Sequence, residues 1–187
     1  GTEIVCAYQR RPIYGFYNAG LTLALTHIGD DVLGARADRL RRIGFKIKSR
    51  YLEHTLSRET IMRDENYEKA MRLLDDAVNQ DLFAELTRQI EALVSTANWG
   101  LSQAQTYGEL IDYLADENPR LIEKVAHKPL IRTLHGAAIS LDAIYQLWTK
   151  DGRVLLSIEP TELSGAVERA GTPVIYGPDN PAPTHPL

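Results

Sequence analysis

Between Ile61 and Ala97, apolar residues return every three or four positions, and this spacing limits what the rest of the chain can pack against. Ile61, Tyr67, Ala70, Met71, Leu74, Ala77 and Val78 fall on one helical face, and Leu82, Phe83, Leu86, Ile90, Leu93, Val94 and Ala97 continue the period. Ser57 is placed to cap this stretch and Glu59 suits its first turn. Asn79-Gln80-Asp81 offers a cap or kink, and Asn98-Trp99-Gly100 ends the run with Gly at the stop. Amphipathic helices need apolar partners, and the flanking sequence reads as more helix.

Upstream, residues 35–56 predict a strong helix, with Ala37, Leu40, Ile43, Ile47 and Tyr51 at threes and fours. Residues 19–33, with Leu21, Leu23, Leu25, Ile28, Val32 and Leu33, read as a helix weakened by Gly20, Gly29 and Gly34. Downstream, Thr106-x-x-Glu109 reads as a capping box. Asn118-Pro119 starts a short helix that Pro129 closes, and Leu130 to about Thr149 reads as a longer one.

The two ends differ from the middle. Residues 3–9 read as a strand before the turn at Pro12, and Tyr14-Gly15-Phe16-Tyr17-Asn18 reads as an aromatic loop that packs an end of the bundle or lines a pocket. Residues 153–158, 160–169 and 173–176 read as strand, helix and strand. After Gly177 come four prolines in ten residues, which predict an extended tail. The expected fold is therefore mainly α. It is a helical bundle with a small β element made from the N-terminal strand and the C-terminal strand-helix-strand unit. Residues 1–176 form one domain and residues 177–187 a Pro-rich tail.

Composition narrows the class. In 187 residues there is a single Cys, so neither a disulfide framework nor a Cys-based zinc site is available. No apolar run reaches the ~20 residues of a membrane helix, and the first residues lack the basic-then-apolar layout of a signal peptide. A cytoplasmic location without membrane insertion is the expectation. Cys6, between apolar neighbours in a strand, reads as a buried, inert thiol.

The net charge of −4 is unevenly spread. Residues 1–50 carry nine Lys/Arg and four Asp/Glu, whereas residues 51–126 carry seven and fifteen. Arg36, Arg39, Arg42, Lys46 and Arg50 recur as a stripe on the helix expected at 35–56. Such a stripe meets nucleic acid or another polyanion, or lies against the acidic helices of its own fold, or is a solvated face. Few aromatics interleave with it, so stacking platforms are scarce.

Chemical motifs are sparse. Neither a glycine-rich phosphate loop nor a GxSxG elbow occurs. His27, Asp30 and Asp31 share a helical face and form a candidate metal cluster for a hydrolase, to be completed by His54, His127 or His135. Their other reading is a core histidine beside two acids that cap or break a helix. Asp75-Asp76 and Asp81 resemble the acid-rich helices of magnesium-dependent synthases in composition only.

Residues 131–143 read Ile-Arg-Thr-Leu-His-Gly-Ala-Ala-Ile-Ser-Leu-Asp-Ala. This segment resembles the central helix of histidine-phosphotransfer domains, whose motif runs His-x-Leu-Lys-Gly-Ala-Ala. Gly136, Ala137 and Ala138 match the small residues that admit a partner, and Leu134 and Leu141 match core positions. Arg132 stands where that family carries its phospho-acceptor His, and His135 where it carries Lys. A guanidinium is not a nucleophile, so the resemblance implies a pseudo-phosphotransfer helix that binds a partner through Arg132, His135 and Gly136 without relaying phosphate. The functional expectation is a non-catalytic protein–protein interaction, regulatory or adaptor domain without a cofactor. Polyanion binding and metal-dependent hydrolysis are the alternatives, and homo-oligomerisation stays open.

Overall fold

The computed structural model describes residues 1–55 and 61–177, the side chain of Asp31 excepted. Ser57 and Glu59, and the Pro-rich segment 178–187, lie outside the described residues. The chain divides into two compact units, Gly1–Ala84 and Glu85–Leu187.

The first unit corrects the expectation of a helical bundle. Its centre is a four-stranded sheet, and with the two-stranded sheets of the second unit the fold is mixed α/β. The strands are β1 (Thr2–Tyr8), β2 (Tyr14–Asn18), β3 (Leu21–Thr26) and β4 (Ile43–Ser49), in the order β1-β4-β2-β3. β1 runs antiparallel to β4, β4 parallel to β2, and β2 antiparallel to β3. The segment read as an aromatic loop is thus a strand, and of the segment read as a helix over 19–33 residues 21–26 form β3 and only 30–33 are helical. Leu21, Leu23 and Leu25 alternate with Thr22, Ala24 and Thr26, which is the period of a pleated strand. A two-residue turn, Ala19-Gly20, joins β2 to β3 with positive φ at both positions (45° and 92°), as type I′ hairpins require.

The strong helix expected at 35–56 is also replaced. Only α1 (Asp30–Leu33), a 3-10 turn (Gly34–Arg36) and α2 (Ala37–Leu40) precede β4. In β4 the residues Ile43, Phe45, Ile47 and Ser49 are buried while Lys46 and Lys48 are exposed. The buried face of the sheet packs against α3 (Glu65–Ala77), which Asp64 caps through Tyr67 N at 2.9 Å. Phe16 meets Phe45 edge-on at 5.4 Å and Tyr67 at 5.8 Å, and Met71 and Leu74 are fully buried beside them. Cys6 in β1 is half-buried and its thiol pKa is raised, first by burial and then by the carboxylate of Asp81. β3 is the far edge of the sheet; it carries no charged residue, and Leu21 and Leu25 on it are exposed.

The long periodic stretch does form helix. After α3 a π-helical turn (Val78–Leu82) leads into α4 (Phe83–Val94), so Asn79-Gln80-Asp81 widens the helix rather than ending it. The second unit continues with α5 (Leu101–Ala115), α6 (Pro119–Val125), β5 (Ile131–Arg132), β6 (Ala138–Ile139), α7 (Leu141–Asp151), β7 (Leu155–Ser157), α8 (Glu162–Arg169) and β8 (Val174–Tyr176). Asn118 and Pro119 start α6 as expected, but α5 begins five residues before Thr106. Thr106 sits inside that helix, donating to the Ser102 carbonyl.

The helix expected from Leu130 to Thr149 exists only in its second half. Gly136, with φ of 94°, instead turns the chain, and residues 131–139 make a β5–β6 hairpin. The continuous helix that the phosphotransfer resemblance implies for 131–143 is therefore not formed. The C-terminal strand-helix-strand unit is present, with β7 and β8 parallel and α8 between them in sequence. Its neighbour is β5, through a bridge between Thr133 and Ile175, and β1 pairs instead with β4.

Candidate functional site

The second unit contains an open cleft of about 640 Å³, built around Trp99. Helix α4 ends at Val94, and its last turn leaves carbonyl groups without intrahelical partners. Arg132, projecting from β5, satisfies the last of them and two carbonyls just beyond the helix. Its Nη1 donates to the carbonyls of Val94 (3.2 Å) and Thr96 (2.7 Å), and its Nη2 donates to that of Ala97 (2.8 Å). A guanidinium also suits the negative end of a helix dipole. Burial lowers the pKa of Arg132, a cost that the three carbonyls offset.

That guanidinium also stacks on Trp99, its Cζ lying 4.1 Å from the ring centre. The indole is pinned at its other end, because Nε1 donates to the Leu93 carbonyl at 2.9 Å. Tyr107 packs at 4.7 Å from Trp99, and Tyr176 meets it edge-on at 5.8 Å. Tyr107 is itself fixed, accepting from the Arg132 backbone N–H (3.0 Å) and donating to the Leu130 carbonyl (3.3 Å). Burial pushes its hydroxyl up to about 12. The site is therefore the part-exposed Trp99 and Tyr176 held in one geometry by a buried scaffold that includes Tyr107.

The mouth is apolar. Leu101 is 86% exposed and Ile158 57% exposed, and Pro160 lies beside them. The 134–136 turn forms another wall and brings in the exposed His135, which stands 3.5 Å from where a Cβ on Gly165 would lie. Gly136 matters for a second reason: a Cβ there would come within 3.2 Å of the Arg132 guanidinium. The lining offers no carboxylate or thiol, and its polar side-chain groups belong to Asn98, Trp99, Arg132, His135 and Tyr176.

Of the residues singled out from sequence, Arg132, His135 and Gly136 come together here, though on a hairpin and not a helix. Trp99, Leu101, Ile158 and Tyr176 were not among them. Trp99 carried a signal, as a large aromatic beside Gly100, which was read as a helix stop but is the cap that opens α5. No local pattern joins it to residues 33 and 77 positions away.

The other candidates are not brought together among the described residues, and the side chain of Asp31 lies outside them. His27 is exposed beyond β3, with Nδ1 2.9 Å from the Pro12 carbonyl, and Asp30 opens α1. Among the described residues no group of three or more His, Cys, Asp or Glu is placed to hold a metal ion. The five basic residues do not share a helical face, because they are divided between a 3-10 turn, α2, β4 and the connecting segments. Arg36 pairs with Glu68 (2.8 Å) and Asp75 (3.3 Å), Arg39 pairs with Asp75, and Arg50 lies over the Tyr51 ring. The Arg36 guanidinium holds the Glu68 carboxyl below the usual carboxylate range. Two of the basic residues thus lie against the acidic face of α3, which also accounts for Asp75. Among the described residues no helix is long and apolar enough to cross a membrane. No family model matches the chain, and no curated protein matches it.

Proposed function

We propose that this chain is a non-catalytic interaction module whose second unit binds an extended, proline-containing segment of a protein partner in the Trp99 cleft. The observation that carries this reading is the fixed presentation of Trp99 and Tyr176 at an apolar mouth. Proline-rich segments adopt the polyproline II helix without internal hydrogen bonds, and they dock in aromatic-lined grooves because little entropy is left to lose. A rigid indole held by Arg132 and the Leu93 carbonyl likewise loses little on binding. The groups at the rim, His135 and Asn98, can donate to the free carbonyls of such a ligand.

The test uses the full chain with Trp148→Phe, so that Trp99 alone reports. Pro178, Pro181, Pro183 and Pro186 are changed to Ser, so that no internal proline segment competes. Titration with an octaproline peptide is expected to change Trp99 emission saturably, with a Kd of order 100 μM, while a Gly-Ser octapeptide leaves it unchanged. Leu101→Glu, at a side chain too exposed to affect folding, is expected to weaken binding tenfold or more. Emission that does not respond to octaproline, or that responds equally in Leu101→Glu, overturns the proposal.

A further inference from the structure

We infer that the cleft selects among proline segments by charge: it takes one that carries a carboxylate beside its prolines, held between His135 and Arg169. This inference rests on the reading of the cleft as a proline-binding site.

The anchor is a pair of side chains that converge over a glycine. His135 lines the cleft from the 134–136 turn, and Arg169 is the last residue of α8. A Cβ on Gly165 would lie 3.5 Å from His135 Nε2 and 3.6 Å from Arg169 Nη1, and without one no side chain of Gly165 comes between the two nitrogens. Both residues are exposed, and among the described residues neither makes a hydrogen bond or an ion pair.

The surroundings leave this pair without an acid. Three and four residues before Arg169, where a helix would bring a carboxylate to it, stand Ala166 and Gly165. The neighbouring Glu168 accepts instead from the Val174 N–H at 3.0 Å. Inside the cleft the balance has the same sign. Its lining holds no carboxylate, and the Arg132 charge is met by three carbonyl dipoles and not by an anion.

A guanidinium beside an imidazole offers N–H donors to both oxygens of a carboxylate. A polyproline II helix presents free carbonyls but no charge, so prolines alone leave the pair unused. An Asp or Glu side chain next to the prolines and the C-terminus of a partner chain share this chemistry. The net charge of −4 repels acids at long range, so a preference for them must arise locally.

The experiment uses the full chain with Trp148→Phe and the four proline-to-serine changes, and it reads Trp99 emission. Octaproline peptides with blocked ends carry Glu, Gln or Lys at both flanks, and unflanked octaproline is compared with a free and an amidated C-terminus. The Glu-flanked peptide is expected to bind about fivefold tighter than the Gln-flanked one, the gain of a charge pair at an exposed rim, and the Lys-flanked peptide more weakly than either. A gain with flanking Glu assigns the carboxylate to a side chain, and a gain with the free C-terminus alone assigns it to a chain end; either supports the inference. Arg169→Gln is expected to bring the Glu and Gln peptides within about twofold of each other. Arg169→Glu is expected to favour the Lys-flanked peptide over the Glu-flanked one, a reversal that loss of the fold would not produce. Equal binding of all the peptides overturns the inference and leaves the cleft reading standing. A preference for acid that survives Arg169→Gln places the carboxylate elsewhere and also overturns it. No change in emission with any peptide overturns both.

Discussion

Arg132 joins a helix end to an aromatic platform, so its replacement tests both at once. Lys at this position keeps the charge but not the planar fork that reaches three carbonyls and lies on a ring. Arg132→Lys is expected to lower stability by about 2 kcal/mol, read from urea unfolding, and to broaden the environment of Trp99. Tyr107 gives a prediction in pH. In the folded chain its hydroxyl titrates near 12, against 10 for an ordinary tyrosine. Between those values the unfolded chain releases the proton and the folded chain keeps it. The contribution of this group is complete below pH 10 and is lost as the pH rises toward 12. From pH 9 to 11 the native protein is expected to lose about 1 kcal/mol more than Tyr107→Phe, measured as the shift in urea midpoint at each pH.

At the level of elements, the β2–β3 hairpin shows what a few residues decide. Ala19 takes φ of 45° where a side chain is strained, beside a glycine that takes 92° without cost. Ala19→Asn is expected to raise stability by about 0.5 kcal/mol, seen as a higher melting temperature, because Asn tolerates the left-handed region. A fall would show that the turn is not of the I′ kind. The same hairpin explains why the sheet was hard to read. Leu21, Leu23 and Leu25 sit at the period of a strand, but Ile28, Val32 and Leu33 extend the apolar run and draw it toward a helix. In β4 the set Ile43, Ile47 and Tyr51 fits a helix as well as Ile43, Phe45 and Ile47 fits a strand. Only the pairing with β1 and β2, which lie far away in sequence, decides between them. Where Asn118 and Pro119 write a helix start in adjacent residues the reading is right, whereas the Thr106-x-x-Glu109 pattern falls inside α5. Where Gly136 alone breaks an apolar run, the hairpin is missed, and with it the place where Arg132 meets Trp99.

Across the whole molecule, the two units carry different kinds of surface. The second presents a built cleft, whereas the first ends its sheet on β3, whose outer backbone row has no neighbouring strand in the sheet. Natural edges are commonly guarded by Lys, Pro or a bulge that twists them away. β3 has no charge and no proline over its six residues, although its partner β2 is irregular between Phe16 and Tyr17. Thr22→Lys places a charge on an exposed position of that edge, and it is expected to delay the onset of turbidity in concentrated, stirred solution several-fold without moving the melting temperature by more than a degree or two. For a cell making this protein the meaning is one of crowding and time. Until a ribosome-fresh chain has folded its helix α3 over the sheet, Leu-Thr-Leu-Ala-Leu-Thr is a sticky ribbon, and chaperones have the most to do there.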